Sequence, residues 1–219
     1  FDAATGEVLA QHRHENGIDG LAASHDGRFL ASGQERVDGM GMVRIFDGRG
    51  DTLLRSLPFT GTVNELDFSS DDRLLAAVGD YTARIYETDG FTIVHEWPLP
   101  RDAGPYGDDN IYINTKFSPD GALLAVGGTF GFVYIYDVAS GRLIRRLQKS
   151  VDKTETVAWT ADGRYLLVAG NGRSIDFFAR DDLVNPAYTN SRMVPVALSV
   201  PVTDALEYMD FNEAGTLLT

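Results

Sequence analysis

Few residues in this sequence have the type and spacing to do covalent or metal chemistry. His12 and His14 stand one residue apart, with Glu15 beside them. Two imidazoles at alternate positions of an extended chain share a face. A zinc site needs a further ligand, and one glutamate is weak company; solvent-exposed histidines are expected here. Asp108-Asp109-Asn110 puts three oxygen-bearing side chains in a row. It lacks both the alternate-residue spacing and the distal glutamate of a calcium loop. Arg49-Gly50-Asp51 spells a cell-adhesion tripeptide, at a place where a Gly-rich polar hairpin turn is expected in any case. A nucleophile needs a base within reach and a group to orient that base. The histidines His12, His14, His25 and His95 are scattered, and no Ser-His-Asp set emerges from the pattern. The expectation is a chain without a catalytic centre, metal or cofactor.

The bulk properties agree with a binding role. The chain has 219 residues, 43% of them hydrophobic, and a formal charge of −13. That composition can bury a core, and no apolar run approaches the length of a membrane helix. The negative field disfavours nucleic acid as a partner. There is no cysteine, so disulfide and thiolate chemistry are absent. The sequence assigns no compartment, and the cytoplasm is only the default expectation.

The elements that would position any site are short and repeated. Five turn segments recur: Ser24-His25-Asp26-Gly27, Ser69-Ser70-Asp71-Asp72, Ser118-Pro119-Asp120-Gly121, Thr160-Ala161-Asp162-Gly163 and Asn212-Glu213-Ala214-Gly215. They start 45, 49, 42 and 52 residues apart. Each opens with a short oxygen-bearing side chain that can accept from backbone two or three residues on. Glycine closes four of them in a type I pattern, and Asp72 is expected to be tolerated in its place. A strand-like run precedes each turn. The runs that follow, such as Arg73–Gly79 and Ala122–Gly128, are rich in Leu, Ala and Val, as strands buried on both faces should be. A third run (43–47, 83–87, 133–137, 175–179) and a fourth (52–57, 92–97, 142–147, 194–200) complete each period. Four strands per 40–50 residues, with no helical period between them, predict the blade of a β-propeller.

The segments 73–87 and 123–137 resemble the middle of a WD40 repeat. The Trp-Asp pair of that family corresponds to Phe46-Asp47, Tyr86-Glu87 and Tyr136-Asp137, and Phe1-Asp2 resembles the same element of a preceding blade. The fourth repeat departs from the pattern at Phe178-Ala179, and no repeat has the family's Gly-His pair. The resemblance implies an all-β propeller of four complete four-stranded blades, at 19–62, 63–110, 111–154 and 155–204. Partial blades are expected at 1–18, with a strand over Glu7–Gln11, and at 205–219, as in a piece of a larger ring of about seven blades. A second resemblance, of Asp2–Glu7 and Asp137–Arg142 to a segment of quinone-cofactor dehydrogenase propellers, lacks the tryptophan that follows in that family.

What the WD40 resemblance implies about function is protein or peptide binding through loops on one face, without catalysis. Those loops join strands two and three of a blade, or one blade to the next. Gln34–Gly41, Arg101–Asn110 and Asn171–Ser174 are the expected specificity loops, since the strand cores are apolar and repetitive. Interface anchors favour aromatic and arginine side chains. The candidates of that kind are Arg36, Tyr81, Arg101, Tyr106, Phe130 and Arg173. Trp97 and Trp159 are expected to pack rather than to hold a ligand.

Overall fold

The computed structural model describes residues 4–8, 10–101, 112–148, 154–172, 174–188, 195–202, 209–211 and 217–218. Four antiparallel sheets of four strands each follow one another in chain order. Blade I holds β1 (Ile18–Ala23), β2 (Phe29–Val37), β3 (Met40–Asp47) and β4 (Leu53–Thr60). Blade II holds β5 (Glu65–Phe68), β6 (Leu74–Gly79), β7 (Thr82–Glu87) and β8 (Ile93–Pro98). Blade III holds β9 (Tyr112–Phe117), β10 (Leu123–Gly128), β11 (Phe132–Asp137) and β12 (Leu143–Gln148). Blade IV holds β13 (Thr154–Trp159), β14 (Tyr165–Gly170), β15 (Ser174–Ala179) and, after a short helix α1 (Arg180–Val184), β16 (Leu198–Pro201). A two-stranded pair, β17 (Asp210–Phe211) and β18 (Leu217–Leu218), comes last. The first strands of successive blades lie beside one another, β1 by β5, β5 by β9, β9 by β13 and β13 by β17. The architecture is an all-β run of propeller blades.

Period-2 alternation explains why the second strands of blades II, III and IV (β6, β10 and β14) are apolar throughout. Leu75 and Ala77 of β6 join the core shared with blade I, alongside Ala31, Val43 and Ile45. Ala76 and Val78, on the other face of the same strand, join the core shared with blade III, alongside Leu124, Val126 and Tyr134. Strand β10 repeats the arrangement, with Leu123 and Ala125 turned toward Leu166 and Val168 of blade IV. Each such strand is sandwiched between two neighbouring blades, so neither face can be polar.

The turns between first and second strands are nearly superimposable in chemistry. The opening hydroxyl does not reach two or three residues on, as expected, but five. Ser24 Oγ accepts from Phe29 N at 2.9 Å, Ser69 Oγ from Leu74 N at 3.0 Å, Ser118 Oγ from Leu123 N at 2.9 Å and Thr160 Oγ1 from Tyr165 N at 3.0 Å. The same hydroxyl donates to the aspartate two residues later, Asp26, Asp71, Asp120 or Asp162. The fourth turn residue is left-handed in all four described turns: φ is 71° at Gly27, 69° at Gly121, 68° at Gly163 and 57° at Asp72. Contrary to the type I reading, the position therefore does select for glycine. Asp72 occupies it with a backbone conformation that few L-residues adopt, and its carboxylate has a separate task described below.

Other expectations need correction. Gln34–Gly41 is not an open loop. Strands β2 and β3 continue through it to a two-residue turn at Asp38-Gly39, where φ is 52° and 84°. Two positive φ angles define the turn that best matches strand twist, and an Asp-Gly pair is its sequence signal. The described residues of Glu7–Gln11 form no strand. In blade IV the fourth strand is described from Leu198, residues 195–197 of the expected run are not in a strand, Val194 lies outside the described residues, and α1 has no counterpart in the sequence pattern. Arg145 explains why α1 can dock there: its Nε donates to Leu183 O at 2.9 Å and its Nη2 to Asn185 O at 2.6 Å. Phe1-Asp2 and the turn at 212–215 lie outside the described residues.

Candidate functional site

The loop face is built from hairpin tips tied to the chain passing between blades. Gly61 N donates to Gly39 O at 2.9 Å, Leu99 N to Tyr81 O at 2.8 Å and Tyr112 N to Asp80 O at 3.2 Å. Loops of the two kinds named from the sequence therefore share one face.

Three of the six candidate anchors meet there. Arg36, Tyr81 and Arg101 line one cavity of about 400 Å³ at the junction of blades I and II, with Gly39, Thr60, Gly61, Pro98 and Leu99. Arg36 comes from the long β2–β3 hairpin, Tyr81 from the β6–β7 turn and Arg101 from the segment leaving β8. The Arg101 guanidinium lies over the Tyr81 ring, 4.0 Å from its centroid, a cation–π contact that fixes both side chains. Arg36 Nη1 donates to the Asp80 carboxylate. That carboxylate also accepts Thr62 N at 3.1 Å, and Arg36 N donates to Thr62 Oγ1 at 3.3 Å.

Asp80 is the residue that the sequence reading missed. It is buried and sits at φ 24°, outside the ordinary regions. Strain of that kind persists where surrounding contacts over-determine it, here Arg36 and Thr62 on its carboxylate and Tyr112 on its carbonyl. The available signal was the two-residue turn Asp80-Tyr81 between two strong strands, which demands positive φ and a short polar side chain.

The other candidates do not join this cluster. Phe130 is half-buried and packs against the core between blades II and III, so it serves the blade more than the surface. Tyr106 and Arg173 lie outside the described residues, as does 102–110 of the long loop, including Asp108-Asp109-Asn110.

Away from the loop face the histidines are absorbed by packing. His12 packs on Phe46 with ring centroids 4.4 Å apart and planes tilted by 36°, and its Nε2 meets Gly50 O. His12 is exposed, but His14 is half-buried, contrary to expectation. Burial, then the nearby Arg44 guanidinium, push the His14 imidazole below its usual pKa. Both line a cavity of about 900 Å³ with Leu21, Leu30 and Phe46. In blade II the matching positions, Leu66, Leu75 and Tyr86, are buried against blade I. His25 pairs with Asp72 and His95 meets Val138 O. Among the described residues no three His, Asp or Glu side chains group as metal ligands. The segment 137–142 is a hairpin turn in which Asp137 Oδ1 accepts Ser140 N at 2.8 Å and Gly141 takes φ 69°. The turn accounts for its Asp and Gly.

The family model for the WD domain, G-beta repeat, matches residues 51–87. This span runs from the β3–β4 turn of blade I to the end of β7. Among curated proteins, the chain is similar to WD repeat-containing protein 1 of Xenopus tropicalis, 26% identical over 267 aligned positions that take in 95% of this chain and 43% of that protein. Protein Atg16l2 of Mus musculus is 26% identical over 146 positions, 61% of this chain and 21% of that protein. WD repeat-containing protein 1 of Mus musculus is 23% identical over 78% of this chain and 34% of that protein. The chain thus spans less than half the length of each of these relatives.

Proposed function

We propose that this chain, whose four sheets are WD40-type propeller blades, is a non-catalytic scaffold that receives a protein or peptide on its loop face. The observation that carries this reading is the convergence of Arg36, Tyr81 and Arg101 on one cavity from three separate segments. Arginine and tyrosine are the residue types that anchor interfaces, and here each is held in place by a partner within the protein. The similarity to WD repeat-containing relatives supports the same reading.

Fixing the anchors matters energetically. Ordering a long side chain on binding costs roughly 0.5–1.5 kcal/mol. Arg36, held by Asp80, and Arg101, stacked on Tyr81, have met part of that cost before any partner arrives.

An alanine series at Arg36, Tyr81, Arg101, Tyr106, Phe130 and Arg173, read by pull-down of whatever partner the wild type retains, tests the proposal. Loss of the partner at Arg36, Tyr81 and Arg101 is the expected result. Loss caused by Arg49→Ala or Tyr188→Ala, with those six silent, would overturn it.

A further inference from the structure

We infer that residues 10–14 are a strap, seated on blade I where blades II to IV receive the fourth strand of the blade before, and that protonation of His14 unseats it. The inference is independent of the loop-face reading above.

Comparison with the next blades identifies the seat. At the junction of blades II and III, Trp97 of β8 stacks on Tyr136 with centroids 4.5 Å apart, and its Nε1 donates to Gly141 O at 2.7 Å. On blade I, the His12 ring centroid lies 4.4 Å from that of Phe46, and its Nε2 meets Gly50 O. Phe46 and Tyr136 hold the same register, opposite Leu30 and Leu124 of the second strand. Gly50 and Gly141 close the same turn, at φ 73° and 69°. His12 therefore takes the place of Trp97. Residues 10–14 are in no sheet, so side-chain contacts rather than a β-ladder hold the strap.

The chemistry changes two residues further on. Two after Trp97 comes Leu99, buried in the core that also holds Tyr134. Two after Leu57, in the equivalent place on blade II, comes Phe59, whose ring centroid lies 5.0 Å from the Arg84 guanidinium carbon. In the strap that position is His14. Arg44, at the register position of Arg84, approaches its Nδ1 with Nη1 at 3.4 Å. A guanidinium can only donate, so Nδ1 accepts and the ring is uncharged in this contact. A proton on Nδ1 removes the acceptor and sets two cations side by side. Arg44 Nε is already buried without a hydrogen-bond partner, so the guanidinium loses what contact it has.

A Gln34 hydrogen bond favours the charged ring, but burial, Arg44 and His12, in that order, oppose it and leave the His14 pKa below its ordinary 6.5. Arg13 and Glu15 flank His14 in the chain. Glu35 of β2 lines a cavity of about 270 Å³ with Arg44 and Glu15, and Arg49 and Asp51 line the larger one with His12. A freed His14 returns to the ordinary value. The released strap therefore takes up the proton first, so the seat is complete above about pH 6.5 and weakens as pH falls below it.

The test uses the full chain and follows the nuclear Overhauser contact between the His12 and Phe46 rings from about pH 7.5 to about pH 5. The contact should weaken by about threefold or more, in step with the His14 ring titration. The Tyr112–Tyr134 ring contact within blade III should stay. His14→Leu, which copies Leu99, and His14→Phe, which copies Phe59 beside Arg84, should each keep the His12–Phe46 contact at the lower pH. The second variant guards against a packing defect in the first. A wild-type contact that persists at the lower pH would overturn the inference. An equal loss in wild type and both variants would also sink it, by placing the titration elsewhere than His14. So would simultaneous loss of the Tyr112–Tyr134 contact, since acid would then be unfolding the blades rather than releasing the strap.

Discussion

The carboxylate of Asp72, in blade II, accepts the backbone N–H of His25, in blade I, at 2.8 Å. Its second oxygen accepts Asp26 N, also at 2.8 Å, and His25 Nδ1 lies 2.9 Å from the first. The Asp72 side chain is only 5% exposed. Two N–H groups at the tip of one turn are thus satisfied by the residue that takes the glycine position of the next. The left-handed backbone at Asp72 is the condition of that reach across the blade boundary.

Replacing Asp72 separates the two effects. Asp72→Gly relieves the backbone but leaves the two N–H groups of the neighbouring turn without their acceptor, and is expected to cost about 2 kcal/mol. Asp72→Ala loses the acceptor and keeps the unfavourable backbone, for about 1 kcal/mol more. Urea unfolding of the three proteins checks the order. A stabilised Asp72→Gly would show that the cross-blade bonds contribute nothing.

Acid should weaken the fold through the turn aspartates. The Asp162 carboxyl is held at about 2, below its ordinary 3.8, by the Thr160 hydroxyl and then the Arg164 backbone N–H. Burial pushes Asp120 up, but the Arg180 guanidinium, the Ser118 hydroxyl and the Ala122 N–H outweigh it and bring it to about 2. Asp26 and Asp71 shift in the same direction. Above pH 3.8 these groups are ionised in both states and their stabilisation is complete. As pH falls, the unfolded chain takes up protons first, so stability is lost progressively until the folded carboxyls titrate near 2. Melting temperatures measured between about pH 5 and 2 should fall, and Asp120→Asn with Asp162→Asn should flatten the curve.

Gly61→Ala should damage the candidate site from beneath. The new methyl would meet Asp80 Oδ2 at 2.8 Å, on a backbone at φ 91°. A loss of about 1–2 kcal/mol is expected from the backbone alone. The Asp80–Thr62 hydrogen bond should open, which faster amide exchange at Thr62 would report. Gly27→Ala, at φ 71° with no atom within 4 Å of the added Cβ, is the control for backbone strain without a clash.

Arg145→Met should release α1. The side chain is buried and holds Leu183 O and Asn185 O, so its removal takes one donor from each, and Asn185 O keeps only Tyr188 N among the hydrogen bonds described. Hydrogen exchange should accelerate over 180–188 while β10 and β14 stay protected, with about 2 kcal/mol lost overall. Unchanged exchange in that segment would mean that Leu183 packing alone holds the helix.

Strands and turns were legible in the sequence because they are decided locally. The Ser/Thr-x-Asp turn makes its bonds within five residues, and the apolar runs of β6, β10 and β14 announce burial on both faces by composition alone. The hairpin at Asp38-Gly39 is also written in the sequence, as an Asp-Gly pair, although its polar flanks give the segment the composition of a loop. The tertiary structure alone decided which distant residues meet. Arg36 finds Asp80 across 44 residues, and Asp72 finds His25 across 47. Repeats of nearly equal local sequence stack with a fixed offset, so a side chain's partner is set by the neighbouring blade's register. No periodicity within one repeat carries that information. Arg36, Tyr81 and Arg101 could be named one by one for their chemistry, but their convergence on one cavity, with Asp80 beneath it, exists only once blades I and II are packed.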